Sequence, residues 1–506
     1  AMEHYQKSLA TNLLLYGDQD ENPHPHVASS YHQIGIICNK QGRLDEAMEH
    51  CQKSLAIALR VYGDYPHPQV ADSYHQIGII YQDQGRLCEA MEHYLKSLAI
   101  DLQVYGDQDE HPHLHVASSY HQIGVVCQEQ GCLDEAMAHY QKSLSIKLQV
   151  YGDPDEHPHP HVANSYHQIG IISQEQGRLD EAMEHYQKSL VITLWVYGDQ
   201  DEYPHPHVAR CYSQVGFICQ QLGRLDEAME HYQKALAIDL LVCGDQEENP
   251  SPQVANTCYN LGLICQQQSH MDDAMAHYQE CLDISLRVHG AEDKHIQPQV
   301  ADCYYQMGSI CLEQGRLGEA MEHYQKSLAT NLLLYGDQDE NPHPHVASSY
   351  HQIGIICNKQ GRLDEAMEHC QKSLAIALRV YGDYPHPQVA DSYHQIGIIY
   401  QDQGRLCEAM EHYLKSLAID LQVYGDQDEH PHLHVASSYH QIGVVCQEQG
   451  CLDEAMAHYQ KSLSIKLQVY GDPDEHPHPH VANSYHQIGI ISQEQGRLDE
   501  AMEHYQ

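Results

Sequence analysis

Along the segment Val27 to Tyr62, apolar side chains return at helical intervals: Tyr31, Ile34, Gly35 and Cys38 fall at i, i+3, i+4 and i+7, one face of a helix. The preceding Pro23-His24-Pro25-His26 supplies prolines, which a helix can begin with but not continue through, so a first helix (helix A) is predicted from about Pro25 to Lys40. Gln41-Gly42-Arg43 predicts a tight turn. Asp45 and Glu46 then place negative charge in the first turn of a second helix, where the helix dipole favours it. Ala47, Cys51, Ser54, Leu55 and Ile57 give this helix B an apolar stripe running to about Tyr62, and Gly63 fits its C-terminal cap. A helix pair this small cannot bury its own apolar face and must stack on neighbours.

The neighbours are copies. GRLDEAM at Gly42 returns as GRLCEAM at Gly85, GCLDEAM at Gly131, GRLDEAM at Gly177 and Gly223, SHMDDAM at Ser269 and GRLGEAM at Gly315, spaced 43 residues once and 46 thereafter. From residue 320 to residue 506 the chain then repeats residues 1 to 187 letter for letter, an offset of 319 that spans seven motifs. The pattern predicts an all-α solenoid of antiparallel helix pairs: about eleven motifs of 43 or 46 residues, continuous over residues 1–506, with 1–319 as its seven-motif unit.

Tyr31, Ile34-Gly35, Cys38, Gly42, Leu44, Ala47, Cys51 (Tyr94, Tyr140 and Tyr186 in later motifs) and Ser54 make each motif resemble the tetratricopeptide repeat. The period exceeds the usual ~34 residues, and the extra length, in helix B and the following loop, is most similar to the long motifs of the kinesin light chain group. The resemblance implies a right-handed superhelix whose helix A faces line a concave groove that takes extended peptides. It also assigns the groove-facing position to a series along the chain: His32, His75, His121, His167, Ser213, Tyr259 and Tyr305. Two features depart from that group: His32-Gln33 stands where Asn is frequent, and Cys often replaces the second aromatic of helix A, as at Cys38. Another histidine series, His50, His93, His139, His185, His231, His277 and His323, lies on helix B and is expected to pack beside the core stripe.

Charge narrows the partners. With 27 Lys and Arg against 71 Asp and Glu, the chain carries −44 when its 43 histidines are neutral, which argues against nucleic acid and anionic membrane surfaces. No apolar run approaches the ~18 residues needed to span a bilayer. If all the histidines could titrate near ~6.5, acidification would relieve most of the self-repulsion, and association would rise as pH falls.

Candidate chemistry sits in the loops. His111, His113 and His115, then His157, His159 and His161, alternate beside carboxylates and offer nitrogen and oxygen donors together, a set suited to zinc, copper or nickel. In the competing reading the prolines simply start the next helix and the polar residues are solvated. Asp18, Asp20 and Glu21 form an acidic loop whose Asp18-x-Asp20-x-Asn22 resembles the opening of a calcium loop, without its glycine and distal glutamate. No cofactor other than such a divalent metal is implied. Seven of the 18 cysteines, Cys38 among them, occupy one core position filled elsewhere by Tyr81 or Ser173, as small buried hydrophobes do, which favours a cytoplasmic over an extracellular setting. Nothing places a nucleophile, a base and an orienting group together once only, so a non-enzymatic protein is expected.

The chain begins and ends inside a helix B, with Ala1–Gln6 and Ala501–Gln506 the same hexamer and no polar capping repeat. This is expected of a window on a longer array, or of an array whose ends continue into identical neighbours. On these grounds the sequence points first to a structural protein, self-associating along or between superhelices into a fibre. The alternative is a cytoplasmic scaffold whose groove binds extended peptides of partner proteins.

Overall fold

A computed structural model describes residues 2–16, 24–106, 112–198, 204–243, 252–289, 298–336, 342–425, 432–471 and 478–505. These form 23 helices and, among the described residues, no strand. Chain contacts divide them into two compact units, Ala1–Glu247 and Glu248–Gln506. The first holds a lone helix B, Met2–Tyr16, and motifs one to five; the second holds motifs six to eleven. Helix A of the first motif runs Pro25–Lys40 and helix B Leu44–Tyr62, as the periodicity predicts.

Three local devices recur in most of the pairs. The turn glycine has positive φ (74° at Gly42, 73° at Gly85), which a residue with a Cβ adopts at a cost. The glycine inside helix A removes a side chain where helix B presses a tyrosine: a Cβ on Gly78 would lie 2.8 Å from the Tyr94 ring. That closeness lets Tyr94, fully buried, fill the space between the helices and donate its hydroxyl to Gln82 at 2.9 Å. Gln82 in turn donates to Glu129 of the next motif (2.8 Å), and Tyr140, Gln128 and Glu175 repeat the relay one motif on. Third, a buried helix B serine reaches a helix A carbonyl, as Ser97 does with Ala71 (3.0 Å) and Ser143 with Ala117 (2.7 Å).

The core crosses motif boundaries within a unit. Tyr94 and Ala90 of the second motif, Val116, Ile123 and Tyr140 of the third, and Ile169 of the fourth belong to one buried cluster, so each pair gains its apolar shelter from its neighbours. The helix B histidines pack as expected: His139 lies against Tyr120 and His185 against Tyr166, ring centroids 5.8 and 6.0 Å apart. The described cysteines are free thiols, and those at the shared core position are buried.

Candidate functional site

The side of each unit built by the N-terminal halves of the A helices carries the least uniform chemistry. It begins with the histidine before the helix. His24, His67, His113 and His159 are N-caps: the ring Nδ1 accepts the backbone N–H two residues on, at 3.2 to 3.3 Å. Each ring is also stacked flat on the last tyrosine of the preceding helix B, with centroids 3.5 to 3.6 Å apart in the pairs Tyr16–His24, Tyr62–His67, Tyr105–His113 and Tyr151–His159. One side chain therefore satisfies the orphan helix N–H and clamps two motifs together.

This geometry decides what the loop histidines can do. His113 and His159, offered above as metal ligands, have Nδ1 committed to a cap and one ring face to a tyrosine. His115 points its Nδ1 at Asp72 of the previous motif, 3.4 Å away, and that contact raises its pKa. His157 is exposed and His161 lines the cavity described below. His111, Asp18, Asp20 and Glu21 lie outside the described residues. Among the described residues no three His, Cys, Asp or Glu side chains converge as a metal site, so the proposed zinc, copper or nickel donor set is not assembled there. The physical reason is that a helix starts between the last two histidines of each trio, at Leu114 or Pro160, and sends successive rings to different tasks.

Most of the helix A series is half-buried against its own motif, with His167 and Ser213 buried. His75, His121 and His167 lay their rings against Tyr94, Tyr140 and Tyr186 of their own motif, centroids 5.3 to 5.4 Å apart, and Tyr259 and Tyr305 do so with Tyr278 and Tyr324. His32, whose motif has Cys51 in place of that tyrosine, is half-buried, and Ser213 is buried. Burial lowers the His32 pKa and brings those of His75, His121 and His167 down to about 4. The predicted reserve of titratable histidines is accordingly smaller than their number: His75, His121 and His167 stay neutral at pH 5.

A second polar row was not singled out from the sequence. At one helix B position the residue changes from motif to motif through Asn12, Ala58, Asp101, Lys147 and Thr193, while the stripe around it stays apolar. Asn12 donates to Ser30 (3.0 Å), Ser119 to Asp101 (3.1 Å) and Lys147 to Ser165 (2.8 Å), each across to the next helix A. Burial raises the Asp101 pKa to about 6, against the hydrogen bond from Ser119, and lowers that of Lys147 to about 8. The signal was present: a position that alternates between alanine, acid and base within an invariant frame is one that packing does not dictate. Beside Lys147 opens a cavity of about 430 Å³, lined by His115, Ser118, His121, His161 and Asn164 among others.

The comparisons agree with this architecture. The Tetratricopeptide repeat family model matches residues 26–103, 115–194, 253–331, 345–422 and 434–506, and a second model of the same description matches 209–239. The matches cover well over half of the chain, which belongs to the tetratricopeptide repeat family. No curated protein sequence matches it significantly. Among solved structures, the apo form of RapI is similar over 77% of this chain and 95% of its own, at 14% identity and a TM-score of 0.54. The nearly identical TPR-like repeats of a putative kinesin light chain from Podosopora anserina align over 44% of this chain and 99% of theirs (24% identity, TM-score 0.37). BtubC (BKLC) from P. vanneervenii aligns over 50% of this chain and 94% of its own (20% identity, TM-score 0.40). At 14% identity the likeness to RapI speaks for the fold alone. Among the described residues no helix is long and apolar enough to cross a membrane.

Proposed function

We propose that the chain is a protein-interaction scaffold whose helix A side binds extended segments of partner proteins. The observation that carries this reading is where the motifs differ. Tyr94, Tyr140 and Tyr186, their facing glycines and the capping histidines recur, whereas Asp72, Ser118, Asn164 and Arg210 occupy one helix A position with four different chemistries. Stacked repeats present such positions as an extended binding surface, and varied side chains on a constant frame suit a surface that distinguishes one segment from another. Family membership supports the same reading, which now stands ahead of the fibre that the exact duplication first suggested. No residue arrangement described above calls for self-association.

Selection of displayed random peptides on the purified chain tests it. Binding that is weakened by Asn164→Ala or Arg210→Ala, and unaffected by Lys188→Ala among the helix B side chains, is the expected result. A chain that retains no peptide and instead forms particles lengthening with concentration would return the fibre to first place.

A further inference from the structure

The Lys147 side chain is 8% exposed. Its one hydrogen bond goes to a neutral hydroxyl, Ser165 Oγ at 2.8 Å, and no carboxylate stands within ion-pair distance among the described residues. A buried cation without a counter-charge is costly to keep, and this one borders the 430 Å³ cavity together with His115, His121, His161, Ser118 and Asn164. All but one of these five can donate a hydrogen bond in either ring or hydroxyl form without adding negative charge; Asn164 adds an amide, which donates as well. The cavity is thus lined by one cation and by groups that can donate to an anion and carry no negative charge, although His115 also faces Asp72, in a chain whose overall charge is −44.

The corresponding positions one motif earlier reverse the sign. There Asp72 stands for Ser118 and Asp101 for Lys147. Asp101 is 2% exposed, and its Oδ1 is buried with no hydrogen-bond partner. Both features recur in the second unit. Lys466, 8% exposed, donates to Ser484 at 2.8 Å; His434 lies 3.2 Å from Asp391; and Asp420, again with Oδ1 unpartnered, accepts from Ser438 at 3.1 Å.

We infer that each unit holds one charge-polarised subsite for an extended peptide, taking a carboxylate side chain at Lys147 or Lys466 and a basic side chain one motif earlier, at the exposed edge of Asp72 or Asp391, with the buried charge of Asp101 or Asp420 behind it. The inference rests on the scaffold reading and adds ligand chemistry, direction and number to it. A peptide bound in reverse sets its acid against two aspartates, so the polarity fixes the direction of the chain. The exact duplication makes the two sites chemically equal, and each lies inside one compact unit.

Calorimetry on the full chain tests this with end-blocked peptides (N-acetylated, C-amidated) on a serine, alanine and leucine background. Each peptide carries one Lys and one Glu, three to seven residues apart, in either order. Blocked ends make the Glu side chain the sole carboxylate. The expected result is two equal sites per chain for one order and spacing, with about thirtyfold or more weakening when that Glu becomes Gln. Lys147→Thr should leave one site of unchanged affinity, and Lys147→Thr with Lys466→Thr none. Threonine is the residue that the fourth motif carries at this position, Thr193, so the substituted helix retains a side chain the frame already accommodates. Equal binding of the Gln peptide, or two sites surviving in the double variant, overturns the subsite while leaving the scaffold intact. Failure of every peptide, Gln forms included, overturns both.

Discussion

At the scale of single residues, the most economical device is the histidine before helix A. It caps through Nδ1 and stacks through its ring face, and these roles separate under substitution. His113→Asn keeps a capping side chain but loses the stack on Tyr105; His113→Ala loses both. Loss of a cap costs about 1 kcal/mol, so amide hydrogen exchange across Leu114–Glu129 should quicken in the order native, Asn, Ala. Equal rates in all three would deny the cap. Lys147 makes a second case with a defined sign. Its folded-state pKa, about 8, lies below that of an unfolded lysine. Between those values the unfolded chain binds more protons, so stability rises with pH. The native chain should therefore gain on the Lys147→Thr variant between about pH 8 and 10 in urea titrations. A constant difference across that window would mean that Lys147 is not held in the interior as described.

At the scale of the helix pair, the glycine of helix A and the tyrosine of helix B act as one unit. Alanine is the better helix former, by roughly 1 kcal/mol, yet at Gly78 its Cβ would sit 2.8 Å from the Tyr94 ring. Overpacking of this kind costs about 1–3 kcal/mol. Gly78→Ala should therefore be destabilising on balance, and Tyr94→Leu in the same chain should recover part of the loss; a Gly78→Ala chain that melts higher than native would refute the close contact. Much of this level was legible in the sequence. Periodicity placed Pro25–Lys40 correctly because apolar side chains at helical spacing report which face is buried. The tasks of His113, His115 and His121 were not legible, because spacing alone does not say whether a ring meets a backbone N–H, a carboxylate or a tyrosine. Nor was the row through Asp101 and Lys147, since charged residues on an apolar stripe look like interruptions of it until the cavity beside them is seen.

At the scale of the whole molecule, two consequences follow from repetition. Because each motif contacts chiefly its neighbours, a lesion and its copy meet the same surroundings. Gly78→Ala and Gly397→Ala, whose added Cβ atoms would meet Tyr94 and Tyr413 at 2.8 and 2.7 Å, should cost the same. Unequal losses by urea titration would show that the two copies are not equivalent. The second consequence concerns acid. His75, His121, His167, His394 and His440 have folded-state pKa values of about 4, below the unfolded value near ~6.5. Their contribution is present above the unfolded value and is lost as pH falls toward 4, because the unfolded chain then takes up protons that the folded one refuses. Asp101, Asp239 and Asp420, raised to about 6, act in the opposite sense but are fewer. Thermal melts should move to lower temperature between pH 6.5 and 4, and less so in a His121→Gln, His440→Gln variant. Identical pH profiles for the two proteins would count against burial of these rings.

The tyrosine–histidine clasp has one further consequence. Tyr62 and His67 are five residues apart and Tyr105 and His113 eight, yet their rings meet at 3.5 and 3.6 Å. The clasp therefore forms across joints of either length, and the difference between a 43- and a 46-residue motif falls within the joint. Unequal recombination that joins a motif ending in this tyrosine to one opening with this histidine rebuilds the same clasp, whereas the junctions from Cys243 to Ser251 and from His289 to Gln297 carry neither residue at these positions. A gene encoding such a protein can grow or shrink by whole motifs without passing through a misfolded product, and a letter-for-letter copy of 187 residues is the kind of record such an event leaves.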